Sequence, residues 1–203
     1  MNVSRRRYMG EKGGSIPYQR IEYLESTGTQ YIDTGIKPTA SFTFDTQIAL
    51  TQSSYNCIFW GCRSYGNYST ENGQCYCNSN SSTVQDDGIL RLLTTVSWYN
   101  TNWDSGIAMQ VNTMYTFTNM TCVPTMLNMT QNITLFGLNN LGSVNTSLGK
   151  CRIARFTAYN NNAKVMDMIP VRIGTTGYMY DTVSGELFGN AGSGNFVLGT
   201  DIN

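Results

Sequence analysis

The stretch Ile169–Gly199, IPVRIGTTGYMYDTVSGELFGNAGSGNFVLG, decides the fold predicted for this chain. Short runs of alternating apolar and polar residues are broken at close intervals by Gly, Thr and Asn. This pattern is typical of β-strands joined by tight turns. Ile21–Pro38, IEYLESTGTQYIDTGIKP, shows the same pattern near the start of the chain. Both end regions therefore predict β-strands rather than helices.

The region between the two ends continues the β-pattern. Ser41–Leu50 is the clearest strand, because its large apolar residues share one face: Phe42, Phe44, Ile48 and Leu50. Asn132–Leu138 is predicted to alternate in the same way, with Ile133 and Leu135 against Thr134 and Phe136. No segment sustains the 3.6-residue apolar period of an amphipathic helix. The chain is therefore predicted to be all-β, either a sandwich or a barrel.

The composition suits one β-domain with a surface that carries little charge. A chain of 203 residues has the usual size of a single sandwich or barrel. Only 13% of its residues are charged, about half of the usual quarter. Asn, Ser, Thr, Gln and Tyr must therefore cover most of the surface. Such surfaces occur on virion-exposed and glycan-binding proteins, and equally on β-domains that bind no ligand.

Positive charge is concentrated at the N-terminus. Residues 1–14 carry a net charge of +3, although the whole chain is neutral, and the charges belong to Arg5, Arg6, Arg7 and Lys12 against Glu11. We therefore predict a short flexible basic arm at residues 1–15 and a domain at residues 16–203. The domain has no basic excess, so nucleic acid is not an expected partner. No apolar run approaches the ~20 residues of a membrane-spanning helix, so no membrane partner is expected.

The cysteines do not have the spacing of a metal site. The six are Cys57, Cys62, Cys75, Cys77, Cys122 and Cys151. No C-x2-C pair occurs and the chain has no His, so zinc is less expected than burial of the thiols as small hydrophobes. A signal peptide is not evident, so the thiols are expected to stay reduced. Asp86-Asp87 is interpreted as part of a solvated loop in preference to a calcium site. No metal or other cofactor is expected.

The sequence does not predict an enzyme. Without His, a catalytic triad or dyad that uses His cannot form. A retaining glycosidase needs two carboxyl groups ~5 Å apart, a distance reached by residues i and i+2 on one strand face. Glu22 and Glu25 would not share a strand face, and Asp86-Asp87 are adjacent in sequence.

Five segments resemble one family. Ile21–Pro38 and Ile169–Gly199 resemble the opening and closing strands of concanavalin A-like (LamG-like) jelly-roll domains of bacteriophage virion proteins and related bacterial surface proteins. Three internal segments resemble further motifs of this family in the same order: Ile58–Arg63 (IFWGCR), Ile133–Asn140 (ITLFGLNN) and Gly149–Tyr159 (GKCRIARFTAY). The resemblance covers residues 17–199. It implies an antiparallel jelly-roll sandwich in which the first and last strands pair.

The same resemblance implies a function in a virus particle. It suggests a bacteriophage virion structural protein, a head-surface fibre or an auxiliary capsid-decoration protein, assembled in the bacterial cytoplasm and forming a homo-oligomer. Its partner would be the major capsid protein or a neighbouring virion subunit. The basic arm would dock onto that partner through Arg5, Arg6, Arg7 and Lys12.

The alternative function is a carbohydrate-binding adhesin module on a virion or a bacterial surface. Trp98, Tyr99, Trp103 and Asp104 lie within seven residues of one another, interleaved with Asn100 and Asn102. Aromatic faces together with Asn and Asp side chains are what sugar recognition uses. The competing reading is that both Trp side chains are anchors of a core or an interface.

Overall fold

The computed structural model describes residues 6–7, 16–52, 57–64, 74–79, 89–93, 102–121, 129–147 and 149–203. Across these ranges the chain forms strands in two sheets and no helix, which confirms the predicted all-β sandwich. The arrangement is compatible with a jelly roll. No helix that could span a membrane occurs in the described ranges.

The strands are numbered in chain order. The first sheet contains β1 (Arg6–Arg7), β2 (Gln19–Arg20), β3 (Leu24–Glu25), β5 (Phe42–Leu50), β10 (Tyr115–Thr121), β14 (Cys151–Asn160), β15 (Ala163–Ile173), β16 (Thr176–Asp181), β17 (Glu186–Phe188) and β18 (Val197–Leu198). The second sheet contains β4 (Ile32–Asp33), β6 (Ile58–Arg63), β7 (Gln74–Ser79), β8 (Ile89–Leu93), β9 (Asn102–Ala108), β11 (Thr134–Leu135), β12 (Leu138–Asn140) and β13 (Ser143–Asn145). Among the described strands all pairs are antiparallel except β6 with β12.

The core lies between the two sheets. Strand β5 confirms the predicted alternation, since Phe42, Phe44, Ile48 and Leu50 are buried. Phe44 and Phe156 from the first sheet meet Trp60 from the second, with ring centroids 4.8 and 5.5 Å from the Trp60 ring. All three side chains are fully buried. Their inward direction shows that the intervening residues of β5 and β14 lie on the outer face of the first sheet.

The two ends of the domain pair as expected. Strand β18 lies antiparallel to β3, and a further bridge joins Ile21 to Asp201. Strand β3 also pairs with β14, so the chain ends are joined to the middle of the first sheet. The opening and closing segments of the sequence thus form one continuous part of the fold.

The predicted alternation over Asn132–Leu138 is wrong. Residues 133–139 are all buried, and Phe136 has a φ of 63° that ends strand β11. This left-handed residue lets Phe136 enter the core beside Leu135, where its ring lies 4.9 Å from that of Phe196. The change of backbone conformation at Phe136 thus replaces the inside–outside alternation that a continuous strand would show.

The cysteines that the structure describes are buried as predicted, but not all of them are reduced. Cys57, Cys62, Cys77 and Cys151 are free thiols. Cys75 is disulfide-bonded, which corrects the prediction that every thiol stays reduced. Cys122 and Asp86-Asp87 lie outside the described residues. Within the described ranges no three potential metal ligands come together.

Candidate functional site

Two of the four predicted anchoring residues lie in a strand. Arg6 and Arg7 form β1, which pairs antiparallel with β17 and places Arg7 opposite Glu186. Arg5 and Lys12 lie outside the described residues. Part of the basic arm therefore extends the first sheet by backbone pairing along β17.

The structure describes only half of the predicted glycan cluster. Trp103 and Asp104 lie in β9, opposite Leu92 and Arg91 of β8. Trp98 and Tyr99 lie outside the described residues. The prediction that these four residues form a glycan site therefore stays a prediction.

A polar groove lies on the outer face of the first sheet, across β10, β5 and β14. Its volume is about 200 Å³. The lining residues are Asp45, Thr46 and Gln47 from β5, Thr116 and Thr118 from β10, and Arg155, Thr157 and Tyr159 from β14. Three adjacent strands thus place Thr, Gln, Asp, Arg and Tyr side chains around one depression.

Asp45 is held in place from two sides of the groove. Its Oδ2 atom accepts a hydrogen bond of 2.9 Å from the Tyr159 hydroxyl. Its Oδ1 atom accepts one of 2.8 Å from the backbone N–H of Asn119. Burial and the hydrogen bond to Asp45 raise the pKa of Tyr159, so the phenol remains a protonated donor at neutral pH. The carboxylate therefore has a fixed orientation.

Asp167 of β15 lies beside the groove and accepts hydrogen bonds from two residues that line it, Arg155 and Thr157. Arg155 donates to it from Nε and Nη2, each at 2.8 Å, and Lys164 Nζ donates at 2.9 Å. Thr157 adds a hydroxyl bond of 3.1 Å. Burial opposes ionisation of Asp167, but the hydrogen bonds from Arg155 and Lys164 outweigh it and lower its pKa to about 2. The same contact raises the pKa of Arg155. Asp167 is therefore a permanent anion at neutral pH.

Two β-bulges produce this arrangement. In β14 the pairing with β5 shifts between Ile153 and Arg155, which turns Arg155 to the outer face. In β10 the pairing with β5 shifts between Phe117 and Met120. There Asn119 takes a φ of 53°, a left-handed conformation that Asn tolerates better than most residues. The bulged backbone directs its N–H group at Asp45.

A buried threonine lies beneath the groove. Thr46 is 1% exposed and its hydroxyl donates to the backbone carbonyl of Arg155 at 3.2 Å, the residue at the β14 bulge. The bulge thus supplies an acceptor for a hydroxyl that faces an otherwise apolar core. This contact links the core to the backbone of β14 at Arg155.

Sequence reasoning missed the groove. Its residues are ordinary polar side chains from three distant segments, and only Arg155, Thr157 and Tyr159 belong to a segment that the sequence singles out, Gly149–Tyr159. One signal was present in GKCRIARFTAY, where the apolar positions change parity between Ile153 and Phe156. That change indicates a bulge. It does not indicate which strands meet there.

Comparison with known proteins does not assign a family. No family model matches the chain, and none of the curated proteins is similar enough to count as a match. The function is therefore inferred from the sequence, the fold and the pairing of the N-terminal strand.

Proposed function

We propose that this chain is a structural protein of a bacteriophage virion, a head-surface fibre or an auxiliary decoration protein, with a concanavalin A-like jelly roll. Five sequence segments that resemble this family in the correct order support the proposal. The resemblance implies that the opening and closing segments pair with each other, and β3 of the opening segment pairs with β18 of the closing segment.

The observation that carries the proposal is the strand formed by the basic arm. Arg6 and Arg7 pair through their backbone with β17, so the arm can add to a sheet edge. Strand addition uses main-chain hydrogen bonds and tolerates many side chains. On a particle, the arm would make the same kind of pairing with the major capsid protein or a neighbouring virion subunit. Its positive charge would favour an acidic edge.

A non-catalytic role agrees with the chemistry of the groove. A glycosidase needs a carboxylic acid that is protonated near neutral pH. The pKa of Asp167 is lowered to about 2, so this residue cannot donate a proton. Asp45 accepts hydrogen bonds on both oxygens from the protein itself. Both carboxylates therefore act as hydrogen-bond acceptors that position neighbouring groups of the protein.

The experiment measures incorporation into particles. Full-length protein, the Arg5→Ser/Arg6→Ser/Arg7→Ser variant and a Met1–Gly14 deletion are each supplied during infection, and purified virions are analysed by quantitative mass spectrometry. Arg20→Ser serves as the matched control, because Arg20 is an exposed arginine of the domain. We expect wild type and Arg20→Ser to be present at tens of copies or more per particle. The deletion variant should be absent from purified particles.

The triple variant separates charge from backbone pairing. If it is lost with the deletion, charge docks the arm, and if it is retained, strand pairing suffices. Thermal unfolding of each variant confirms that the domain is intact. Normal incorporation of a folded deletion variant would reject the arm as the anchor, and absence of the wild-type chain from virions would reject the virion role.

A further inference from the structure

We propose that Cys62 and Cys75 form an internal thiol–disulfide exchange site, in which the Cys62 thiol takes over the disulfide bond of Cys75. The proposal concerns the covalent state of the second sheet, so it goes beyond the virion role and does not depend on it. Cys62 lies in β6 and Cys75 in the neighbouring β7. Cys62 is a free thiol, whereas Cys75 is disulfide-bonded. The two reactants of an exchange, a thiol and a disulfide, thus lie on adjacent strands.

The strand register places the two cysteines directly opposite each other. Strands β6 and β7 are antiparallel, and Cys62 pairs with Cys75. Opposed residues of an antiparallel pair have Cα atoms about 4.5 or 5.5 Å apart and direct their side chains to the same face. A disulfide needs Cα atoms roughly 4.4–6.8 Å apart. The backbone therefore already has the spacing of a Cys62–Cys75 bond.

Both sulfur atoms lie on the inner face of the second sheet. Trp60 of β6 reaches the core, and Cys62 lies two residues further along the strand, on the same face. Cys62 and Cys75 are each 0% exposed. Dissolved thiols and oxidants therefore do not reach either sulfur while the sheets are closed. The disulfide of Cys75 is the reaction partner that the fold itself supplies to Cys62.

The existing bond of Cys75 does not lie within the β6–β7 pair. The four other described cysteines are free thiols, so the sulfur bonded to Cys75 lies outside the described residues. Exchange would replace that link by one between the two strands and would release the former partner. The disulfide would then tie β7 to β6 alone, and the segment that carries the former partner would lose its covalent link to the second sheet.

The reaction needs no external oxidant. Cys62 gives up its proton, its thiolate attacks the Cys75 sulfur, and an S–S bond forms between them. The bond from Cys75 to its former partner breaks, and the partner sulfur leaves as a thiolate that takes up a proton. One disulfide and one thiol are present before and after the step, so atoms and electrons balance.

Burial suppresses the exchange in the closed fold. Removal from water raises the pKa of Cys62, so almost none of this thiol is present as the reactive thiolate. Opening of the sheet to water removes the cause of this shift and exposes the sulfur. The exchange site is therefore inactive until the second sheet opens, and opening converts one disulfide into the other.

Cys77 provides the internal comparison. It is a buried free thiol in the same strand as Cys75. Residues i and i+2 of a strand lie about 6.8 Å apart, at the upper limit for a disulfide. The register places Cys77 opposite Trp60. Cys77 therefore shares the chemistry and burial of Cys62 but not its position relative to Cys75.

The test opens the full-length protein in the absence of an alkylating agent and then maps its disulfides. Protein purified without reductant is held in urea just below the unfolding transition at about pH 8, near the ordinary pKa of a thiol. Samples taken over minutes to hours are blocked with excess N-ethylmaleimide in full denaturant. Linked peptides are quantified by mass spectrometry. Cleavage by chymotrypsin after Trp60 and Tyr76 separates Cys62 and Cys75 from their cysteine neighbours.

We expect the original Cys75 bond at the start and a growing fraction of the Cys62–Cys75 bond afterwards. This bond should exceed about tenfold each bond from Cys75 to another free thiol, because proximity raises intramolecular rates. An equal amount of newly blocked thiol should appear on the former partner. Cys62→Ala should retain the original bond, whereas Cys77→Ala should exchange as wild type does. Circular dichroism shows whether the variants are folded, and the wild-type time course decides the question even if Cys62→Ala unfolds.

Three results would overturn the proposal. They are a free Cys75 thiol in the starting protein, an original bond that persists in wild type throughout opening, and equal exchange of Cys75 with Cys62 and Cys77. The last result would show that the strand register does not direct the reaction. None of these results bears on incorporation into virions, and loss of incorporation would leave the exchange unchanged.

Discussion

Gly192 lies so close to Thr29 that a Cβ atom on Gly192 would stand 2.1 Å from the Thr29 carbonyl oxygen. That oxygen accepts a hydrogen bond of 3.0 Å from the N–H of Ser193, and the Thr29 hydroxyl donates to the Ser193 carbonyl at 3.0 Å. The first and last turns of the domain are thus joined by backbone contact. Only a residue without a side chain allows this approach.

Gly192→Ala should therefore destabilise the domain. The added methyl group must push the two turns apart, and overpacking of this kind costs about 1–3 kcal/mol. Urea unfolding measures the change in the free energy of unfolding. Gly189→Ala is the matched control, because its Cβ would meet only the Tyr178 ring, at 3.4 Å. Equal effects of the two substitutions would show that the contact with Thr29 does not constrain the fold.

The sequence predicts the parts of this fold that depend on local pattern. Alternation identified β5 because one of its faces is fully buried. The family resemblance predicted the pairing of β3 with β18, but not the close approach at Gly192. That contact depends on how two distant turns meet, and the turn pattern of Gly192–Gly194 fixes only the local conformation.

The groove could not be predicted for a related reason. Whether Arg155 faces outward depends on the bulge in β14, and bulges are fixed by pairing with the neighbouring strand. Phe136 was misassigned because a strand pattern does not reveal a left-handed residue between two apolar neighbours. The aromatic residues suggested a glycan site by their residue types and their closeness in sequence alone. The sequence does not show whether their side chains lie on the same face of a sheet.

Asp167→Asn should lower stability at neutral pH by about 2 kcal/mol, the equivalent of a carboxyl pKa lowered from 3.8 to about 2. Because the pKa is depressed in the folded state, the contribution is complete above about pH 4 and is lost as the pH falls towards 2. Denaturant unfolding of wild type and variant at several pH values measures this difference.

The difference between wild type and Asp167→Asn should therefore shrink steadily between pH 4 and pH 2. Asp201→Asn is the comparison, since Asp201 pairs with Arg172 but is exposed, so water screens the pair. A gap between wild type and Asp167→Asn that is constant from pH 7 to pH 2 would show that Asp167 acts through shape and not through its charge.

The thiols should react in two separate stages. Burial raises the pKa of Cys62, Cys77 and Cys151, which keeps them protonated and unreactive in the folded protein. Iodoacetamide should therefore label these three cysteines, and the buried Cys57, only after unfolding, whereas Cys75 should need reduction as well. Peptide mass spectrometry with and without denaturant and reductant checks both stages. Labelling of Cys75 in unfolded but unreduced protein would contradict the disulfide.

Asn119 provides the last prediction, because its left-handed backbone directs an N–H group at Asp45. Asn119→Gly should keep this conformation at little cost, whereas Asn119→Ala should lower the free energy of unfolding by about 1 kcal/mol. Thr118→Ala, the exposed neighbour, should change it by less than about 0.5 kcal/mol. If Ala and Gly at position 119 are equally stable, the bulge relaxes without cost. The bulge would then not be what fixes Asp45.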